Sequence, residues 1–138
     1  MNRGEEDYLK GMYKLQGVFE EEVFIKTKEL MTLFGHSLPS VNEMVKRLQE
    51  EGFVSYKPYV GVSLTKKGFL QGEKLIKKHR LWELFLTASL GLSSEEVHEE
   101  AEKLEHATSD RVLEALDAFL NYPENCPHGQ PIPQNTSD

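Results

Sequence analysis

Apolar positions recur at helical intervals through most of the chain, with one short interruption where they alternate instead. From Asp7, the stretch DYLKGMYKLQGVF puts Tyr8, Leu9, Met12, Tyr13 and Leu15 on one side of a turn, which predicts an amphipathic helix. The run IKTKELMTLFG predicts a short helix that starts near Thr27 and stops at Gly35. After the turn His36-Ser37 comes LPSVNEMVKRLQEEG, with Val41, Met44, Val45 and Leu48 on one face and Gly52 as terminator. FVSYK and GVSLT are rich in valine and tyrosine and read as two strands, joined by a turn at Pro58-Tyr59-Val60-Gly61. A short helix, a tight turn, a second helix and a two-stranded ribbon are the elements of a winged helix-turn-helix.

The pattern then becomes helical throughout. A long helix is expected from a cap at Thr65 to Gly91, despite Gly68 and Gly72 inside it. Ser93 and Glu96 form a capping box that opens the helix VHEEAEKLEH. Ser109 starts a last helix through DRVLEALDAFLNY, closed by Pro123.

Charge divides the chain the same way. The net charge of -7 is uneven: residues 1–78 carry +2 and residues 79–138 carry -9. The second half has too many carboxylates to face a phosphate backbone, and enough to hold cations. The first half carries the nucleic-acid signal. Ser37, Ser40 and Asn42 give the second helix of the motif a short-chained polar start, where backbone approaches base edges. Pro39 lies among them, placed to touch thymine methyls, and Lys46 and Arg47 follow where phosphates are met. Lys26, Lys28 and Lys57 add phosphate contacts, with Thr27 and Tyr59 beside them. The alternative is a small α+β unit that binds nothing.

VHEEAEKLEH is the unusual stretch. Val97, Ala101 and Leu104 form its apolar stripe, while His98, Glu102, Glu105 and His106 gather in an arc of roughly 100° on another side. His79 and Glu83 repeat the i, i+4 spacing on the preceding helix. Imidazole nitrogen and carboxylate oxygen suit Mn²⁺, Fe²⁺, Co²⁺ or Zn²⁺, and a helix presents two such ligands at little entropic cost. A solvated acidic face with incidental histidines is the other reading of the same residues.

Catalytic arrangements are missing. H-E-x-x-H is absent, no pair of helices carries Glu-x-x-His, and there is no G-x-S-x-G, P-loop or dinucleotide fingerprint. No enzyme is expected. The lone Cys126 fits a reducing compartment, no apolar run approaches the ~20 residues of a membrane span, and MNRGEEDY is no signal peptide. A cytoplasmic protein without membrane contact is therefore expected.

Six separated stretches now fall into a known order: EDYLKGMYKL, SLPSVNEMVKRLQEEGFV, YKPYVGVSLTKKG, HRLWELFL, HEEAEKLEHATSD and CPHGQPIP. Together they resemble the diphtheria toxin repressor family of metal-dependent transcriptional regulators, from about Asp7 to Pro133, in a manganese-regulator-like form without an SH3-like domain. The resemblance implies a mainly α fold, with a winged-helix DNA-binding domain at 1–72 and an all-helical metal-binding and dimerisation domain at 73–138. It implies a homodimer that binds double-stranded operator DNA when metal is bound and represses metal-uptake genes. Carried over by position, Asp7, Glu102, Glu105 and His106 form a primary metal site, and His79, Glu83 and His98 an ancillary one. Glu102, where the iron branch has cysteine, favours Mn²⁺ over Fe²⁺, with Zn²⁺ or Co²⁺ as further candidates. The manganese branch also has a glutamate near position 10, where this chain has Lys10. A winged-helix regulator answering to a non-metal ligand or a partner is the alternative function.

Overall fold

The computed structural model describes residues 1–20 and 23–134. It divides into two compact units, Met1–Glu73 and Lys74–Asp138.

The first unit opens with α1, Arg3–Gln16. The helix begins four residues before the expected Asp7, because Asn2 caps it: the Asn2 side chain accepts from the Glu5 amide at 2.8 Å. Asp7 is therefore neither cap nor first-turn acid; it sits in the second turn, half-buried, where the helix dipole gives it little support. Helix α2, Thr27–Phe34, ends on left-handed Gly35, and α3, Leu38–Glu50, starts from the Ser37 cap with Pro39 in its first turn. Strands β1, Val54–Lys57, and β2, Gly61–Leu64, pair antiparallel with Val54 opposite Leu64 and Lys57 opposite Gly61. Ile25 adds a bridge to Val62 through two hydrogen bonds of 2.7 and 2.8 Å, so β2 is fastened, one residue in from the turn, to the segment that enters α2.

The core of this unit is built on Tyr8, Leu9, Met12, Leu30, Val41, Leu48 and Val62, all nearly inaccessible. Buried apolar side chains of this size stabilise by about 1.5–3 kcal/mol each. Helix α4, Lys66–Ala88, begins here, with Thr65 Oγ1 accepting from the Gly68 amide at 3.1 Å. Its two glycines, costly on helix propensity, are explained by close approach. A Cβ at Gly68 would lie 2.0 Å from the Phe53 carbonyl oxygen, and one at Gly72 would lie 2.7 Å from that of Leu9.

The second unit contains the rest of α4, α5 (Ser94–Glu105) and α6 (Asp110–Phe119). Ser93 and Ser109 cap the last two, accepting from the amides of Glu96 and Val112. Helices α4 and α6 end earlier than periodicity predicts, at Ala88 and Phe119; Asn121 and Tyr122 then adopt left-handed backbone before Pro123. Leu81, Leu113, Leu116, Cys126 and Ile132 form its core, flanked by Trp82 and Phe85. Buried Lys77 and Asp117 pair across α4 and α6 at 2.9 Å. Among the described residues, no helix is long and apolar enough to cross a membrane.

Candidate functional site

The second unit brings its predicted ligands together. His79 and Glu83, one turn apart on α4, and His98 on α5 each offer a ligand atom, all within 4.8 Å of one another. His79 Nε2 lies 3.3 Å from Glu83 Oε2, and His98 Nδ1 lies 3.5 Å from the same oxygen. The two sets separated by the resemblance are continuous within this unit. His79 Nδ1 meets Glu105 Oε1 at 2.5 Å, His98 Nε2 meets Glu102 Oε1 at 3.2 Å, and Glu105 Oε2 is 3.6 Å from His106 Nε2.

Their environments differ sharply. Glu105 is wholly inaccessible and His79 and Glu83 are nearly so, whereas the side chains of His98 and Glu102 are about half exposed. The expected buried stripe of α5 is thus incomplete: Val97 and Ala101 are buried, Leu104 only partly, and Glu105 takes a core position. His106 is the C-cap of α5 rather than a residue within it. Burial alone would push the Glu83 carboxyl up. The hydrogen bond and charge of His79, with the charge of His128 and the bond from His98, outweigh it and hold the group below its ordinary value.

Two residues of this cluster escaped the sequence reading. Cys126 and His128 stand in the loop before Ile132, and with Glu83 they too offer ligand atoms within 4.8 Å of one another; His128 Nδ1 is 3.5 Å from Glu83 Oε2. The loop is closed by hydrogen bonds from the Cys126 amide to Gln130 O and from the Gly129 amide to Cys126 O. Arg80 on α4 donates to the carbonyl of Pro131 and holds the loop against the helix. The signal in the sequence is a Cys-Pro-His-Gly run, a thiol and an imidazole two apart in a turn.

The first unit places the predicted DNA-facing residues on one helix-turn-helix and its ribbon. Ser37, Pro39, Ser40, Asn42, Lys46 and Arg47 are all exposed on α3 and its cap. Arg47 is engaged along the helix by Glu43, 3.0 Å away. Lys26, Thr27 and Lys28 at the start of α2 border a cleft of about 200 Å³ with Tyr56 and Tyr59 of the ribbon. Lys57 lies over the Phe24 ring at 5.4 Å. Tyr59, fully exposed at a left-handed φ of 67°, is the tip of the turn.

Residues 2–62 match the iron dependent repressor N-terminal DNA binding domain, and residues 65–134 match the iron dependent repressor metal binding and dimerisation domain. The chain belongs to the iron-dependent repressor family. This family consists of DNA-binding repressors, not enzymes, and the mainly α winged-helix architecture is theirs. Within it, the chain is 41% identical to an uncharacterized HTH-type transcriptional regulator of Methanocaldococcus jannaschii, over 87% of this chain and 94% of that protein. It is 35% identical to the iron-dependent repressor IdeR of Mycobacterium tuberculosis, over 93% of this chain but 54% of the repressor. The structure of the manganese-activated repressor ScaR with bound Zn²⁺ superposes with a TM-score of 0.79 at 44% identity, over 94% of this chain and 59% of ScaR. The chain thus spans little more than half the length of these two repressors.

Proposed function

We propose that this member of the iron-dependent repressor family is a cytoplasmic, metal-activated regulator that binds operator DNA as a homodimer and represses genes of metal uptake. The observation that carries the reading is the convergence of His79, Glu83 and His98 to within 4.8 Å, joined through His79 to the buried carboxylate of Glu105. Buried carboxylates are costly unless paired, and a cluster of imidazoles and carboxylates is the donor set of a borderline divalent cation.

Glu102, Glu105 and His106, with Asp7 from the first unit, are the proposed primary ligands; the part of Asp7 rests on the match of EDYLKGMYKL to the family. His79, Glu83 and His98 form the proposed ancillary set, to which Cys126 and His128 are added on geometry. A divalent cation bound by these groups supplies the positive charge that the carboxylates otherwise lack. Asp7 and the glutamates then attract a common partner instead of repelling one another, which biases the arrangement of reading heads. Two such heads need a separation of about 34 Å to enter successive major grooves.

Mn²⁺ is the proposed activator, because Glu102 stands where a softer thiolate would favour Fe²⁺. Fe²⁺ is the second choice, supported by the kinship with IdeR. Zn²⁺ and Co²⁺ suit the cluster that includes Cys126. Ser37, Pro39, Ser40 and Asn42 are proposed to read bases, and Lys26, Thr27, Lys28, Lys46, Arg47, Lys57 and Tyr59 to hold the backbone.

The test is an operator-binding titration with duplex selected from a random library by the Mn²⁺-loaded protein. Affinity is expected to rise ten-fold or more with Mn²⁺, roughly the 1–3 kcal/mol of typical allosteric coupling, and to fall again with chelator. Equal affinity in both conditions would rule the reading out.

A further inference from the structure

We propose that Tyr8 is a positioning residue that ties the Asp7 end of α1 to the turn preceding α3, so that metal binding at Asp7 is felt by the base-reading residues. The inference rests on the metal-dependent reading above and assigns the link within the first unit.

Tyr8 follows Asp7 directly and is 1% exposed. Its ring stacks on Phe34, the last residue of α2, with centroids 4.0 Å apart and planes within 13°. Its hydroxyl lies 2.6 Å from His36 Nδ1, and the two rings are 5.6 Å apart. With the hydroxyl donating, the imidazole carries its proton on Nε2. Phe34, Gly35 and His36 lead straight into Ser37, whose side chain accepts from the Ser40 amide and so sets the first turn of α3. One side chain of α1 therefore grips the connection between both helices of the reading motif.

The hydrogen bond is the informative part. His36 is an exposed residue that water could satisfy, so filling the core does not require this contact. What it adds is a directional restraint. A bond of 2.6 Å stretches beyond hydrogen-bonding range with a displacement of about 1 Å, so a shift of α1 must be followed by the turn or break the bond. A tyrosine has only two rotatable side-chain bonds before its hydroxyl, and with its ring held against Phe34 it transmits such a shift rather than absorbing it. The turn in its path is short and ends at a helix cap, so motion there re-aims Ser37, Pro39 and Ser40.

The experiment uses the full chain and the selected operator duplex, with Mn²⁺ saturating or removed by chelator. Wild type is compared with Tyr8→Phe, His36→Ala, His36→Gln and the Tyr8→Phe/His36→Ala pair. Tyr8→Phe keeps the stack and loses the bond; it is expected to lose about five-fold or more of the Mn²⁺-dependent gain in operator affinity. Its thermal midpoint and its affinity for non-specific duplex are expected to stay near wild type. His36→Ala should show the same loss, the double variant no more than either single one, and His36→Gln a partial rescue through its amide oxygen. A full Mn²⁺-dependent gain in Tyr8→Phe would overturn the proposal, as would losses that multiply in the double variant or a matching loss of non-specific binding. A wild type indifferent to Mn²⁺ would instead sink the metal-dependent reading, and this proposal with it.

Discussion

His79 Nδ1 and Glu105 Oε1 are 2.5 Å apart, one from α4 and one from the end of α5, in a place that water does not reach. A carboxylate with no exposed surface needs a donor, and an imidazole that donates from Nδ1 leaves Nε2 facing Glu83 at 3.3 Å. A cation that takes His79 as ligand competes with any proton on the ligating nitrogen, because only a deprotonated imidazole nitrogen ligates. Metal uptake is therefore expected to release protons. Calorimetry in buffers of different ionisation enthalpy measures the number, and identical heats in all of them would contradict this.

The same contact changes how substitutions rank. Glu105→Ala and His106→Ala are expected to abolish metal-dependent operator binding with helix content retained. His79→Ala, mild for an isolated ancillary ligand, also strips Glu105 of a partner in the core. It should weaken metal dependence and lower stability by about 1–3 kcal/mol. Denaturation by urea with circular dichroism checks both parts, and an unchanged midpoint for His79→Ala would refute the second.

Cys126, if it ligates, should separate the metals by softness. Cys126→Ser is expected to lower affinity for Zn²⁺ and Co²⁺ more than for Mn²⁺, since sulfur favours the softer ions. The Co²⁺-loaded wild type should show a thiolate-to-cobalt absorption band that the variant lacks. A band of equal strength in both would place the thiol outside the coordination sphere.

Glu5 carries a pH dependence of definite sign. Burial, then the hydrogen bond and charge of Glu51, hold its carboxyl above the ordinary 4.5, and its Oε2 is buried without a hydrogen-bond partner. A raised carboxyl favours the folded state while protonated, so stability is lost as pH rises from the ordinary value through the raised one. Glu5→Gln is expected to raise the thermal midpoint at pH 7 and to leave it nearly unchanged at pH 4. A lower midpoint at pH 7 would count against this account.

The reading helix offers a test by charge. Glu43 engages Arg47 and adds a negative charge to the face proposed to meet phosphate. Glu43→Gln releases the guanidinium and should strengthen binding to operator and non-specific duplex alike. The slope of log affinity against log salt should steepen by about one. A variant with weaker operator binding would mark Glu43 as a base-reading group instead.

Legibility followed the range of the forces involved. Helices α2 and α3, the two strands and the caps at Ser93 and Ser109 were readable because turn and cap chemistry is local. The start of α1 was not: Asn2 sets it, but apolar periodicity becomes visible only from Tyr8. Periodicity put His98 and Glu102 beside each other correctly, yet it could not reveal that Glu105 enters the core, because that depends on His79 from another helix. Gly68 and Gly72 looked like weaknesses in a helix until Phe53 and Leu9 were seen against them. Cys126 and His128 lay in a loop, where sequence spacing says little about which distant carboxylate will be met.

The bridge between Ile25 and Val62 bears on how such a protein diversifies. Pinned at Val62, just inside the turn, the ribbon can exchange residues at Pro58, Tyr59 and Val60 while β2 stays fastened to the segment before α2. A lineage could thus retune how far the ribbon reaches along DNA by editing its tip alone, while the bridge itself must be inherited intact.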